Sequence, residues 1–491
     1  MASSTPATPS TPQPTITAQN TDNNKLTLGT FPISKLLVQY SVPAIIANLA
    51  TSLYNIIDSI FIGHGVGAMA IAGLAITFPL MNLVIAFCTL IAVGGATVSS
   101  IFLGQKNLSR ATDVVNNVML MCFVHAVVFG GLTLYFLDDI LYFFGATEQT
   151  ISYARDFMFI ILLGTPISYV FLGLNNIMRA TGYPKKAMIS AFLSVGVNLV
   201  LAPIFIFHFK WGIEGAATAT LIGQTVACVW VVAHFMNKNS VVHFDLRRRW
   251  FVPSLIKRMY GIGLSPFLMN CTACLVVVFL NKSLLEAAGA EGNDSVGAYG
   301  IINRTTMFFV MIVFGVTQGM QPILGYNFGA NNWLRVKKTL YKGIWIGASI
   351  SACGWVITEL FPDAISSMFT TDQTMIDIAR EGFRIYFICY PVVGAQIVIQ
   401  NFFQSVGHPL PSIFLSLTRQ LIFLLPFLWI LPKYFGVDGV WLSMTGSDLL
   451  AAIVAAITVI IWIRIMNKRF KETGSIHKPI TGATQPVNSQ S

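Results

Sequence analysis

The sequence predicts an all-α membrane protein, with twelve transmembrane helices in two six-helix lobes related by a parallel pseudo-twofold repeat. Three observations carry this. Only 10% of the 491 residues are charged and 55% are hydrophobic, whereas a soluble domain carries roughly 25% charged residues. Apolar windows of the roughly 20 residues that a bilayer crossing needs recur from Ile33 to Ile463. The second half of the chain also repeats the first.

In chain order, windows bounded by polar or Gly/Pro breaks predict spans at 37–62, 74–102, 114–137, 157–178, 187–208 and 212–236. The second half gives 259–285, 297–326, 340–361, 383–407, 413–434 and 440–463. The run from Val114 to Leu137 carries no Asp, Glu, Lys or Arg at all. Residues 1–34 read as a disordered cytoplasmic tail, because the Ser, Thr and Pro-rich start has no basic residue before Lys25 and no apolar signal core. Residues 35–236 form the N-lobe, 237–250 a basic linker, 251–467 the C-lobe and 468–491 a second cytoplasmic tail.

The net charge of +10 could point to nucleic acid, but its distribution answers to a membrane. Lys106, Arg110, Lys185, Lys186, Arg247, Arg248, Arg249, Arg335, Lys337 and Lys338 fall in alternate loops, and Asp138, Asp139, Asp294 and Asp363 in the others. This positive-inside bias predicts both termini cytoplasmic, with no nucleic-acid partner; a bacterial plasma (inner) membrane is the expected location. All seven Cys, Cys271 and Cys274 among them, lie in apolar windows and read as small packed hydrophobes.

The repeat is clearest where GLNNIMRATGYPKKA, from Gly173, meets VIQNFFQSVGHPLPS, from Val398. Asn176, Gly182 and Pro184 meet Asn401, Gly407 and Pro409, and Pro166 meets Pro391. GIEG at 212–215 meets GVDG at 436–439, Gly104, Asn107 and Arg110 meet Gly329, Asn332 and Arg335, and Pro43 meets Pro266. Six spans per half make the repeat parallel, which implies two lobes about a central cavity, suited to alternating access.

The run Tyr54-Asn55-Ile56-Ile57-Asp58 followed by IFIGHGVGAMAIAGLA, and the run from Gln318 to Ala330, QGMQPILGYNFGA, resemble the multidrug and toxic compound extrusion (MATE) family. The similarity covers roughly residues 35 to 467. It implies an exporter of small organic, often cationic, compounds driven by a proton or sodium gradient, with no cofactor and not an enzyme. A monomer in the lipid bilayer is the expected state.

Asp58 is the leading ion-coupling candidate, since a carboxylate inside a span costs roughly 2.5–3.5 kcal/mol on insertion scales and usually faces a cavity or a partner. Tyr54 and Asn55 are expected on its face. The competing reading is a structural Asp satisfied by a neighbouring Asn or Thr. The resemblance adds Asn198 and Thr220 to the cluster. The family pattern Asn-x-x-x-Asp-Pro is here Asn198-Leu-Val-Leu-Ala202-Pro203, so the second acid is missing. A hard cation such as sodium wants several oxygen ligands, and a proton site on one carboxylate is favoured.

Arg419 and Asp448 are expected to pair across neighbouring helices, either structurally or as a coupling switch. Arg304 either lines the second cavity or snorkels to the interface. Together with Asn176, Asn281 and Gln400 these are the candidates for substrate cavity or lobe coupling. Gln318 and Gln321 are assigned to an inner gate. His125 reads as a lone packed histidine. There is no GxxxxGK[ST], HExxH or GxSxG, and the Gly63-to-Gly67 run lacks the strand context of dinucleotide binding. A lipid-linked saccharide flippase is the alternative transport reading, and it would need several cavity cations. An intramembrane enzyme would need a catalytic cluster, and none is visible.

Overall fold

A computed structural model of the protein describes residues 27–289 and 292–476. The expected tails over 1–26 and 477–491 lie outside the described residues. Among those described there is no strand, and every predicted span is largely helical.

The helices of the first half are α1 (Ile33–Gly65), α2 (Ala68–Gly104), α3 (Leu108–Tyr135), α4 (Ile151–Leu163 with Thr165–Ala180), α5 (Pro184–Pro203, continued by a π-helical turn Ile204–His208) and α6 (Gly212–Met236). The second half has α7 (Pro253–Ala288), α8 (Gly292–Gly329), α9 (Trp333–Leu360) and α10 (Gln373–Phe387 with Tyr390–Ser405). It ends with α11 (Pro409–Leu417, a π-helical Thr418–Leu424, then Leu425–Ile430) and α12 (Pro432–Thr473). Short helices Leu137–Phe143 and Pro362–Ser367 precede α4 and α10.

Both α4 and α10 bend by 56° between their two pieces. Pro166 and Pro391 sit at the start of the second piece in each case. A proline has no N–H for the preceding turn and disfavours helix just before itself, so matched prolines give matched bends. Other repeat pairs likewise set turns. Lys106 and Asn331 both adopt positive φ (59° and 58°), as do Gly212 and Gly436 (58° each). Asn107 and Asn332 cap α3 and α9, accepting from the backbone N–H of Arg110 at 3.0 Å and Arg335 at 3.4 Å.

Two apolar cores form, and neither respects the lobe boundary read from the sequence. The first core draws on α2 to α6 and also on Leu255, Ile256, Met259 and Ile262 at the start of α7. The second draws on α8 to α12 and on Ile33, Leu36, Leu37 and Tyr40 at the start of α1. Ile62 late in α1 returns to the first core, and Leu280 and Leu284 late in α7 return to the second. The first helix of each lobe therefore begins in the other lobe's core.

Residues 27–30 are helical and Leu28 is buried, so the expected tail ends earlier than residue 34. The anchors are the guanidinium of Arg335, which donates to the carbonyls of Leu28 (3.0 Å) and Phe31 (2.7 Å), and the amide of Asn327, which donates to Leu28 (3.0 Å). At the other end α12 runs on to Thr473, and the backbone N–H of Ile476 donates to Asn331 at 2.8 Å. The linker is also held down, because Asn116 donates to the carbonyl of Asp245 (2.8 Å) and Arg248 reaches Asp113 and Asp245 (3.4 and 3.2 Å).

Candidate functional site

The first polar cluster lies where α1, α5 and α6 meet. Small residues let these helices close in. A Cβ on Gly223 of α6 would stand 2.5 Å from the carbonyl oxygen of Ser194 on α5, so no larger residue fits there. Side chains from the three helices then reach one another. Tyr54 and Thr220 share a hydrogen bond of 2.9 Å between their oxygens. The Asn198 amide donates to Thr220 at 2.9 Å and to Tyr54 at 3.3 Å, and the Thr220 hydroxyl donates to the carbonyl of Ala216 at 3.1 Å.

One assignment satisfies all four bonds: Thr220 gives its proton to Ala216, Tyr54 gives its proton to Thr220, and Asn198 spends both amide hydrogens. The hydroxyl and amide donors are then used up. Two buried acceptors have no partner, Asp58 Oδ1 and Asn198 Oδ1, with Asp58 7% and Asn198 2% exposed. A buried polar atom left unpaired is costly, and neither oxygen finds a donor among the described residues. Ala202, one turn beyond Asn198, is fully buried and presents only a methyl group.

Asn55 stays outside. It is exposed, which corrects the expectation that it shares the face of Asp58. At about 100° per residue, Tyr54 stands about 40° from Asp58 on one side and Asn55 about 60° from it on the other, so Asn55 falls at the exposed edge of that face.

The candidates in the second half divide. Arg419 and Asp448 do pair, Nε donating to Oδ1 at 2.6 Å. Gln400 faces a cavity beside them, together with Arg419. Asn281, the repeat counterpart of Asp58, has its Oδ1 buried without a partner. Arg304 is exposed and lies over the ring of Phe369, 5.9 Å from its centre, away from that cavity. Asn176 donates to the Leu172 carbonyl of its own helix at 2.8 Å, and its counterpart Asn401 does the same to Ile397 at 2.9 Å.

Gln318 and Gln321 both bridge the halves. The Gln321 amide donates to Thr97 Oγ1 at 2.8 Å, and Gln318 Oε1 accepts from Arg179 at 2.5 Å. Ser41 to the carbonyl of Val316 (3.3 Å) and Asn48 to that of Met311 (3.3 Å) complete a seam between α1 and α8. Along α2 and α8 the approach is reciprocal, since a Cβ on Gly104 would meet the Tyr326 carbonyl oxygen at 2.0 Å and one on Gly329 that of Ile101 at 2.1 Å. The halves are thus closed on each other toward the end that carries the linker.

One residue is absent from the sequence reading and another is changed by the structure. Arg179 is a seam residue whose signal, a cation within an apolar stretch, was hidden by its nearness to the loop. His125 is not alone, because the Tyr260 hydroxyl on α7 lies 2.5 Å from its Nε2.

Comparison with known proteins bears on the family and the fold. The MatE family model matches residues 43–204 and again 269–430. The multidrug export protein MepA of Staphylococcus haemolyticus is 27% identical over 427 residues, covering 87% of this chain and 93% of its own. MepA of Staphylococcus aureus strain NCTC 8325 is 27% identical over 429 residues, covering 87% and 94%. The solved structure of the MATE multidrug transporter DinF-BH superposes with a TM-score of 0.82 at 33% identity, covering 93% of this chain and 99% of that one. An outward-facing multidrug resistance MATE family transporter superposes with a TM-score of 0.85 at 23% identity, covering 94% and 100%.

Proposed function

The chain belongs to the MATE family of transporters, and from that premise we propose that it is a proton-coupled exporter of small organic, often cationic, compounds. It works by alternating access in a bacterial plasma membrane, with both termini and the linker cytoplasmic. Its relatives named as multidrug exporters support the substrate class, and the basic linker end supports the orientation. In that orientation the seam through Gln318, Gln321 and Arg179 is an inner gate, closed here.

The observation that carries proton coupling is the pair of unpartnered buried oxygens, Asp58 Oδ1 and Asn198 Oδ1, beside donors that are already spent. Protonation converts Asp58 from an acceptor with nothing to accept into a donor. The proton therefore stabilises the lobe packing in which this cluster is buried, and a gradient acts only through such a difference between states. Sodium is less well served, since Ala202 supplies no oxygen where a second carboxylate would stand.

One carboxylate carries one proton. Exchange of one proton for one monovalent organic cation moves no net charge, so the driving force is about 1.4 kcal/mol per pH unit and independent of membrane potential. In everted vesicles, proton-driven accumulation of a cationic dye should collapse with nigericin and persist with valinomycin. Asp58→Asn should reduce gradient-driven efflux to background while the protein remains monodisperse. Undiminished efflux by that variant, or stimulation by sodium alone, would overturn the assignment. The flippase reading loses its cations, because Arg304 is turned to Phe369 and Arg419 is held by Asp448.

A further inference from the structure

At the end of the molecule that carries the linker, the α8–α9 turn, the start of α9 and the last turns of α12 enclose a groove of about 610 Å³. Binding pockets for small ligands run to about 300–1,000 Å³, so a ligand of that size fits. Trp333, Leu334 and Phe470 give the groove apolar walls, Lys337 and Lys471 its charge and Asn467 an amide. Among the described residues no carboxylate lines it. Asn467 Oδ1 accepts from Trp333 Nε1 at 2.7 Å and from Lys337 Nζ at 3.2 Å, which holds the ammonium beside the indole ring, 5.6 Å from its centre. Lys337 keeps two of its three hydrogens and the Asn467 amide keeps its own. The acid adjacent to Lys471, Glu472, faces Lys468 at 4.0 Å, and Lys471 has no ion pair among the described residues.

The internal repeat indicates what belongs in the groove. The spacing that sets Asn107 on Asn332 and Arg110 on Arg335 also sets Asp113 on Lys338. In the first half the linker covers that face of α3, with Asn116 donating to the Asp245 carbonyl at 2.8 Å and Arg248 meeting Asp113 at 3.4 Å. A cation there sits on an acid. In the second half Lys338 replaces the acid, Lys337 stands beside it, and the groove is open. Residues 477–491 contain no Asp or Glu, so their side chains bring no complementary charge. The fitting cover is an anion from outside the chain. Along α9, Leu334, Tyr341 and Trp345 are exposed on one face, so the groove continues into a surface that meets lipid. Basic pockets between membrane helices hold acidic lipid head groups, whose phosphodiester takes charge-assisted hydrogen bonds.

We propose that this groove binds the headgroup of an anionic phospholipid. Lys337 and Lys471 hold the phosphodiester, the Asn467 amide donates to the headgroup oxygens, and the acyl chains follow Leu334, Tyr341 and Trp345 along α9. Neither the coupling ion nor the transported compound enters this assignment.

The test titrates purified full-length protein in detergent with phosphatidylglycerol and with phosphatidylcholine of the same acyl chains, counting bound lipids by native mass spectrometry. The readout is the preference for phosphatidylglycerol, the ratio of the two affinities. Lys337→Gln with Lys471→Gln should lower that preference about tenfold and leave phosphatidylcholine binding unchanged. If the double variant is not monodisperse, Lys471→Gln alone, at an exposed position, replaces it, with a loss of about threefold. Lys185→Gln with Lys238→Gln, exposed at the same end of the first half, should keep the wild-type preference. An unchanged preference in the groove variants, or an equal loss in the Lys185 and Lys238 variant, overturns the site. Glycerophosphoglycerol, the same headgroup without chains, should bind about a hundredfold more weakly than the lipid; equal affinity would make the ligand a soluble phosphodiester and overturn the lipid assignment.

Discussion

The chemistry of the Asp58 cluster turns on single atoms. Tyr54, Thr220 and Asn198 leave no hydrogen for Asp58 Oδ1, and replacing any of them changes that count. Tyr54→Phe strips Thr220 of one donor and should lower stability by about 1 kcal/mol, with efflux slowed but still responsive to a pH gradient. A thermal melt in detergent beside vesicle efflux measures both, and a fully inactive but stable Tyr54→Phe would show that the hydroxyl itself carries protons. Ala202 gives the complementary experiment. It faces inward one turn from Asn198 and is buried, so Ala202→Asp adds a second carboxylate to the cluster and should make efflux sodium-stimulated. Indifference of that variant to sodium would mean that α5 does not set the choice of ion.

At the scale of elements, the two halves share turn geometry far more than they share chemistry. The caps Asn107 and Asn332, the bends at Pro166 and Pro391, and the positive-φ turns at Gly212 and Gly436 recur. Asp58 and Asn281, by contrast, hold matching places and differ in charge. Asn107→Ala and Asn332→Ala should each cost about 1 kcal/mol, visible as matched drops in melting temperature; a drop in one alone would mean that the caps are not equivalent. The α2–α8 approach is a sharper element. Gly104→Val puts carbon where the Tyr326 carbonyl oxygen stands, 2.0 Å from the first added atom, and should open the linker end. Spin labels on Lys185→Cys and Leu410→Cys, both exposed positions on opposite halves, should move apart by pulsed electron resonance, and an unchanged distance distribution would remove this contact from the gate.

For the molecule as a whole, the exchange of helix starts between cores matters most. Because α1 begins in the second core and α7 in the first, neither half completes its own interior. Residues 1–250 and 251–491 expressed separately should fail to give monodisperse species, whereas coexpression should yield a copurifying pair; two independently folded halves would contradict the shared cores. The sequence alone determined the membrane class, the helix count and the repeat, because hydropathy over a span and proline or glycine at a turn are local properties that need no partner. It also marked Asp58, since a carboxylate in an apolar window is costly wherever it packs. Only the tertiary structure decided which groups meet: that Asn55 points away, that Arg304 turns to Phe369, that His125 finds Tyr260, and that Leu28 and Ile33 belong to the far core. Those outcomes depend on helix rotation and crossing, which follow from packing between segments tens to hundreds of residues apart and leave no periodic trace in the chain.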